Sequence, residues 1–434
     1  MKRALFTLAI LAVSAGLVAA QPSGKVDFSR YVSIGDSLTA GYLSGGLVQT
    51  TQVRDYPALI ASRGGVGSGF QQPLISEPGI PPLMYLKSLV PLVIERKPGM
   101  GVPINLTLPR PYNNLGIPGA ISLDVLQTVT DPDNPFFDII LRGQGTVIAQ
   151  MSVLNPTFMT VWIGNNDILG AVLSGRAIDG VTMTPIPVFN QIMTQLFAVL
   201  SPWKSRMVVA NIPDVSTIAF TTAISIYVTN PATGQPVLIN GQKVPLIGPQ
   251  GPMVEGSYVL LTAASFMAQG YGIPVQLGGN GQPLPDETVL TPDEVVPIRA
   301  HVTAFNATIA SLATTYKIPL VDVNAYFKEI AAKGYVVGGI TLTTAFVTGG
   351  IFSLDGVHPS DIGYAVVANK WIERINESFG ETIPYVDLSP YLGMRQAAPA
   401  PTGWGEWAWV DDMAQNLKQV FLKPEAREYL ERTR

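Results

Sequence analysis

The sequence predicts an α/β protein: a mostly parallel sheet with helices on both faces and long loop and hairpin insertions at one end. Three observations lead there. Short, nearly continuous apolar runs recur, each closed by Gly, Asn, Asp or Pro. Runs of that kind suit strands buried on both faces, as in a parallel sheet. Helical patterns lie between them, and alternation of the two implies a sheet covered by helices. Finally, 42 Gly and 36 Pro in 434 residues predict long, well-punctuated loops.

The strand candidates are Tyr31–Ile34 before Gly35-Asp36-Ser37, Phe158–Ile163 before Gly164-Asn165-Asn166-Asp167, Met207–Ile212 before Pro213-Asp214, and Pro319–Val323 before Asn324. The clearest helix starts at Thr291-Pro292-Asp293-Glu294, a capping box with Thr291 as N-cap, Pro292 at N1 and Glu294 at N3. Its apolar stripe is Val295, Ile298, Val302, Phe305, Ile309 and Leu312. Pro297 conflicts with that helix and predicts a kink. A later helix begins at Pro359 and carries Ile362, Val366, Ile372 and Ile375.

Two stretches break the rhythm, at about 45–111 and 216–290. The first is rich in Gly and Pro. The second has turn signals at Asn240-Gly241 and Asn280-Gly281. Both read as insertions, the kind of excursion that forms binding loops, lids or small subdomains. After residue 396, Ala397–Pro401 reads as a linker. Trp404, Trp407 and Trp409 follow, then a helix with Val410, Met413, Leu417 and Phe421 on one stripe. Such a stripe is expected to dock on the body. The sharper alternative is an aromatic platform that associates with a sugar or the cell envelope.

Composition removes several functions. Only 13% of residues are charged, against about 25% in an ordinary domain. The net charge of −4 offers no basic footprint for nucleic acid. Without Cys there is no disulfide, thiolate metal site or Cys nucleophile. With two His, a His-rich metal site is nearly excluded. Residues 1–20 read as a signal peptide: Lys2 and Arg3, then an apolar Leu5–Val13, then Val18-Ala19-Ala20 before Gln21. An exported, periplasmic or extracellular protein is expected, with residues 21–396 as its catalytic body.

The chemistry-bearing residues sit where strands end. Ser37 follows the first strand, at the edge where open α/β sheets bind ligands. A serine hydroxyl needs a base to take its proton. Asp355-Gly356-Val357-His358-Pro359 offers one, since an Asp three residues before a His can hold one ring nitrogen while the other faces the serine. Asn166 can donate an amide hydrogen bond at the end of the Phe158 strand. Glycines in Asn113-Asn114-Leu115-Gly116-Ile117-Pro118-Gly119-Ala120 let backbone approach a substrate and present an N–H. Taken singly, each of these is more often a turn or capping residue.

Together and in this order, the four blocks resemble the GDSL or SGNH serine hydrolases. GDSLT with Ser37 is similar to the nucleophile block, NNLGIPGA with Gly119 to the glycine block, GNND with Asn166 to the Gly-x-Asn-Asp block, and DGVHP with Asp355 and His358 to the Asp-x-x-His block. The resemblance implies a three-layer α/β/α, flavodoxin-like fold. It implies Ser37 as nucleophile, His358 as general acid/base and Asp355 as its orienting carboxylate. It further implies an oxyanion hole from the Ser37 N–H, the Gly119 N–H and the Asn166 side chain. The family more often has Ser-Gly where this chain has Pro118-Gly119, so Gly116 is the alternative donor.

The expectation is therefore an exported carboxylic ester hydrolase, with no metal or organic cofactor. Its substrate would be a small-molecule, lipid or acylated-glycan ester. The rival readings are an acyltransferase or deacetylase of envelope polysaccharide and, from a different class, a non-catalytic binding module. No Gly-x-Ser-x-Gly occurs, which argues against the common α/β-hydrolase elbow. His301 lies beside the apolar stripe of its helix with no Asp near it in sequence, and reads as structural. Asp36 and Asp167 could be mistaken for a glycosidase pair, but that reading leaves Ser37, Asn166 and His358 unused. The resemblance gives both turn-stabilising roles.

Overall fold

A computed structural model describes residues 25–89, 92–230, 233–393 and 413–433. All four apolar runs form strands of one parallel sheet, joined by a fifth. The strands are β1 (Tyr31–Gly35), β2 (Asn114–Gly116), β3 (Phe158–Trp162), β4 (Met207–Ala210) and β5 (Leu320–Val321). Their spatial order is β2-β1-β3-β4-β5, the doubly wound flavodoxin-like order. Registers are Ile34 with Leu115, Tyr31 with Phe158, Met159 with Met207 and Leu320 with Val209. Every residue of β1, β3 and β4 is buried. That is why these runs lack the polar alternation of a one-sided sheet.

Helices flank the sheet. The ones that bear on the site are α1 (Ser37–Ala40), α2 (Tyr56–Arg63), α3 (Asn166–Ser174), α4 (Ile186–Leu200), α5 (Pro292–Tyr316), α6 (Asp361–Phe379), α7 (Met413–Phe421) and α8 (Pro424–Arg432). Alternate residues of β3 meet α2 and α6. Trp162 lies 5.6 Å from Tyr56 and 6.2 Å from Trp371, while Phe158 meets Phe379 edge-on. Helices α4 and α5 pack together through Phe189 and Phe305, whose rings stack at 3.8 Å.

The capping box at Thr291 forms as read: the Thr291 N–H donates to Glu294 Oε2 at 2.8 Å. Helix α5 runs continuously through Pro297, which forgoes one backbone hydrogen bond. Leu312 is only partly buried, and Ala313 ends the buried stripe instead. Helix α6 starts at Asp361 rather than Pro359. Ser360 is its N-cap and accepts from the Gly363 N–H at 3.1 Å, a service proline cannot perform.

Within 45–111, Met84–Leu89 pairs with Leu92–Arg96 in an antiparallel hairpin. Within 216–290, Leu238–Ile239 and Gln242–Lys243 pair around Asn240-Gly241, both with positive φ as a tight hairpin turn requires. The three Trp after the linker and Val410 lie outside the described residues, as does the signal-peptide segment. Met413, Leu417 and Phe421 of α7 are buried against the body. Three such side chains contribute roughly 2 kcal/mol each, so the tail is firmly docked.

Candidate active site

In this strand order the connections reverse direction between β1 and β3, and a crevice opens outside the carboxyl ends of those strands. The loops that leave them carry Ser37 and Asn166. They lie very close: a Cβ on Gly35 would meet the Trp162 carbonyl oxygen at 2.4 Å, so only glycine fits. Asp36 joins the two loops. It caps α1 by accepting from the Leu38 N–H at 3.0 Å, and its other oxygen accepts from Asn165 Nδ2 at 2.7 Å. Ser37, the first residue of α1, is thereby held at the floor of the crevice, 3% exposed.

His358 arrives from the opposite end of the chain. The loop before α6 folds back on itself, with the Ser353 N–H donating to the His358 carbonyl at 2.8 Å. This presents the imidazole to Ser37, with His358 Nε2 at 2.9 Å from Ser37 Oγ. His358 Nδ1 lies 3.0 Å from Asp355 Oδ2. A neutral imidazole that donates from Nδ1 to a carboxylate keeps Nε2 free to accept the serine proton.

Asp355 is fully buried and fully engaged. Oδ1 accepts from the His358 N–H at 2.8 Å, the Val357 N–H at 2.9 Å and Ser353 Oγ at 3.1 Å. Oδ2 also accepts from the Gly45 N–H at 3.1 Å. Burial works to raise the Asp355 pKa. The adjoining His358 imidazole and these hydrogen bonds outweigh it and hold the carboxyl below its ordinary range. The group is thus an anion beside the imidazole, as stabilising an imidazolium requires.

The backbone N–H groups of Ser37 and Gly119 have no acceptor among the described residues. The Gly116 N–H is already taken by Asn114 Oδ1 at 2.9 Å, so Gly119 is the available donor of the two. Asn166 Nδ2 gives one hydrogen to the Ala120 carbonyl at 2.8 Å, which ties Asn166 to the Gly119 loop. The second amide hydrogen remains for a ligand. A narrow cleft of about 40 Å³ reaches Ser37, Asn166 and His358 between Leu38, Leu169 and Ile218. A larger cavity of about 540 Å³ borders Gly119 and Asn166 on another side. The four blocks, spread over more than 300 residues, therefore meet at one crevice. Chemically, the arrangement can take a proton from a hydroxyl and offer donors to a developing oxyanion.

The family model for GDSL-like Lipase/Acylhydrolase matches residues 31–371. The chain belongs to that family. Solved structures with a similar chain course include an α/β hydrolase enzyme from the metagenome of Lake Arreo, Spain. It is 12% identical at a TM-score of 0.36 and covers 80% of this chain and 94% of that one. An acetylxylan esterase from Geobacillus stearothermophilus is 14% identical at 0.35, covering 80% and 93%. The lipase/acylhydrolase from Enterococcus faecalis is 11% identical at 0.32, covering 80% and 95%. No curated protein matches the chain.

As a GDSL-family member the protein is a carboxylic ester hydrolase on the α/β SGNH fold. Several residues that shape the site of this GDSL hydrolase carry no local signal in the sequence. Gly45 opens the first insertion, yet its N–H holds the Asp355 carboxylate. Ser353 precedes Asp355 by two residues, and its hydroxyl links that carboxylate to the Ser44 N–H at 2.9 Å. Tyr42 and Phe421 pack against the His358 ring at 4.8 and 5.3 Å between centroids. His301 stands apart in α5. Its Nε2 lies 3.2 Å from Asp179, a partner distant in sequence, and Nδ1 bonds the Pro297 carbonyl at 2.9 Å.

Asp36 and Asp167 sit in separate hydrogen-bond sets. Asp167 accepts from the Ser122 N–H and hydroxyl and from Thr184 Oγ1, all at 2.8 Å. Desolvation raises the pKa of each to about 6, with hydrogen bonds only partly offsetting it.

Proposed function

We propose that this esterase works through Ser37, His358 and Asp355 by an acyl-enzyme route. His358 Nε2 takes the Ser37 proton as Oγ attacks the ester carbonyl carbon. Asp355 keeps the imidazole in the right tautomer and balances its positive charge. The Ser37 and Gly119 N–H groups and Asn166 Nδ2 receive the oxyanion, each such donor being worth about 3–4 kcal/mol in the transition state. The C–O bond to the alcohol breaks as His358 returns the proton to the leaving oxygen. Water, activated by His358, then cleaves the acyl-enzyme and restores Ser37.

The observation that carries this reading is the continuous relay of 2.9 Å from Ser37 Oγ to His358 Nε2 and 3.0 Å from His358 Nδ1 to Asp355 Oδ2. The test is hydrolysis of p-nitrophenyl acetate together with labelling by a fluorophosphonate. Ser37→Ala should abolish labelling and lower kcat by at least about 10³-fold. A variant that still turns over at the wild-type rate refutes the reading. Substrates in this proposal are small-molecule, lipid or acylated-glycan esters, met after export. A secreted chain beginning at Gln21 by N-terminal sequencing would support export, and an uncleaved intracellular chain would overturn it.

A further inference from the structure

We propose that the 540 Å³ cavity beside the oxyanion donors is the acyl-chain site, and that the C-terminal helices α7 and α8 form one wall of it. The inference rests on the Ser37 reading above and adds the class of ester: one with an aliphatic acyl chain well beyond acetyl.

Position is the first argument. The cavity borders Gly119 and Asn166 but neither Ser37 nor His358. An ester carbonyl with its oxygen between those two donors directs its two substituents apart. The leaving oxygen must approach His358 Nε2 to be protonated. The acyl carbon has no such need and extends away from the imidazole. The Phe421 ring, packed on His358 and edge-on to Tyr42 at 5.5 Å, also borders the cavity and screens the imidazole from it.

Chemistry of the walls is the second. Ile121, Met183 and Ile192 line the cavity from the body, and Leu422, Ala426 and Tyr429 from the tail. Of the charges there, Lys423 Nζ lies 2.9 Å from Asp124 and 3.8 Å from Asp131, and Arg427 lies 3.5 Å from Asp133, while Glu425 also borders the cavity at its rim of charged residues. A cavity with mostly apolar walls, within the roughly 300–1,000 Å³ of ligand sites, suits an aliphatic chain.

The third is how the tail is seated. At Gly119, where φ is +83°, a Cβ would meet the Val420 carbonyl oxygen at 2.1 Å. The backbone of α7 thus rests on the glycine that carries an oxyanion donor. Helices seated there while leaving open space beneath them act as a wall, whereas a plug would fill that space.

Val188 lines the cavity from α4 and is 45% exposed, so a large side chain fits there without disturbing the core. In the full chain, Val188→Trp should lower the ratio of kcat/KM for p-nitrophenyl octanoate over p-nitrophenyl acetate by about tenfold or more. Any general loss cancels in that ratio. The ratio for octyl acetate over ethyl acetate should stay the same. A double variant of the α7 anchors, Met413→Asp with Leu417→Asp, buries two carboxylates in place of apolar side chains and should undock the helices, lower octanoate hydrolysis and leave acetate hydrolysis no faster. An unchanged octanoate ratio in Val188→Trp overturns the proposal. So does a fall confined to the alcohol series, which would make the cavity an alcohol site. Faster hydrolysis of both esters in the double variant would make the helices a plug and overturn it too. Failure of Ser37 as nucleophile is separate, since it shows as acetate hydrolysis that survives Ser37→Ala.

Discussion

Replacing Asp36 by Asn should alter how stability depends on pH, by an amount the structure supplies. Asp36 is fully buried, and desolvation lifts its pKa from the ordinary 3.8 to about 6. Below about pH 4 the carboxyl is protonated in both folded and unfolded chains, and burial carries no charge penalty. Between pH 4 and 6 the unfolded chain has released its proton and the folded chain retains it, so stability falls as pH rises. Above pH 6 the full penalty is present. At about 1.4 kcal/mol per pKa unit, a rise of roughly two units is worth about 3 kcal/mol.

An amide at position 36 has no charge to desolvate and is as good an N-cap as Asp. Asn165 Oδ1 is buried without a partner, so turning the Asn165 amide lets that oxygen accept from the new side chain. Urea unfolding of wild type and Asp36→Asn at pH 4 and pH 7 measures the effect. The variant should gain about 2–2.5 kcal/mol relative to wild type on going from pH 4 to pH 7, since at pH 4 part of the unfolded carboxyl is already ionised. Asp167 and every other carboxylate contribute equally to both proteins and cancel. A wild-type-to-variant difference that is the same at both pH values would refute the reasoning.

Gly119→Ala places a side chain at a left-handed φ costing roughly 1–2 kcal/mol and forces it against the Val420 carbonyl. Esterase kcat/KM should drop by at least about tenfold with a lower unfolding midpoint; wild-type kinetics would show that α7 yields easily. Asp355→Asn removes the anion beside His358 and presents a donor to groups that already donate, so kcat should fall roughly 10³–10⁴-fold with little change in KM. Steady-state kinetics on p-nitrophenyl acetate decide it. Lys317 ends α5 in the left-handed region at φ +58° and is exposed. Lys317→Gly should therefore stabilise the protein by about 1 kcal/mol in denaturant unfolding, and a destabilised variant would contradict this.

Features written in contiguous residues are legible in the sequence alone. The four apolar-run strands announce themselves because burial on both faces demands unbroken apolar runs, although the Pro319–Val323 run supplies only Leu320 and Val321 to the sheet. The capping box at Thr291 and the hairpin at Asn240-Gly241 are encoded within a few positions. The residue types at Ser37, Asn166, Asp355 and His358 are conspicuous because each follows a strand or precedes a helix. Strand β2 was not legible: three residues containing Asn and Gly have no strand pattern, and it forms because β1 offers an open edge. Helix α6 starts two residues after Pro359, because Pro359 and Ser360 are both good helix openers and only the backbone geometry chooses between them.

Contiguous residues encode the α/β sheet, the family, and which side chains could carry the chemistry. How those side chains are supported emerges only on folding: Gly45 and Ser353 on Asp355, Asn165 on Asp36, Asp179 on His301, and the α7 backbone on Gly119. These contacts join residues whose local patterns are ordinary, and they arise only when distant segments exclude water together. Packing of that kind depends on the shape of the whole chain, which no short window of sequence contains.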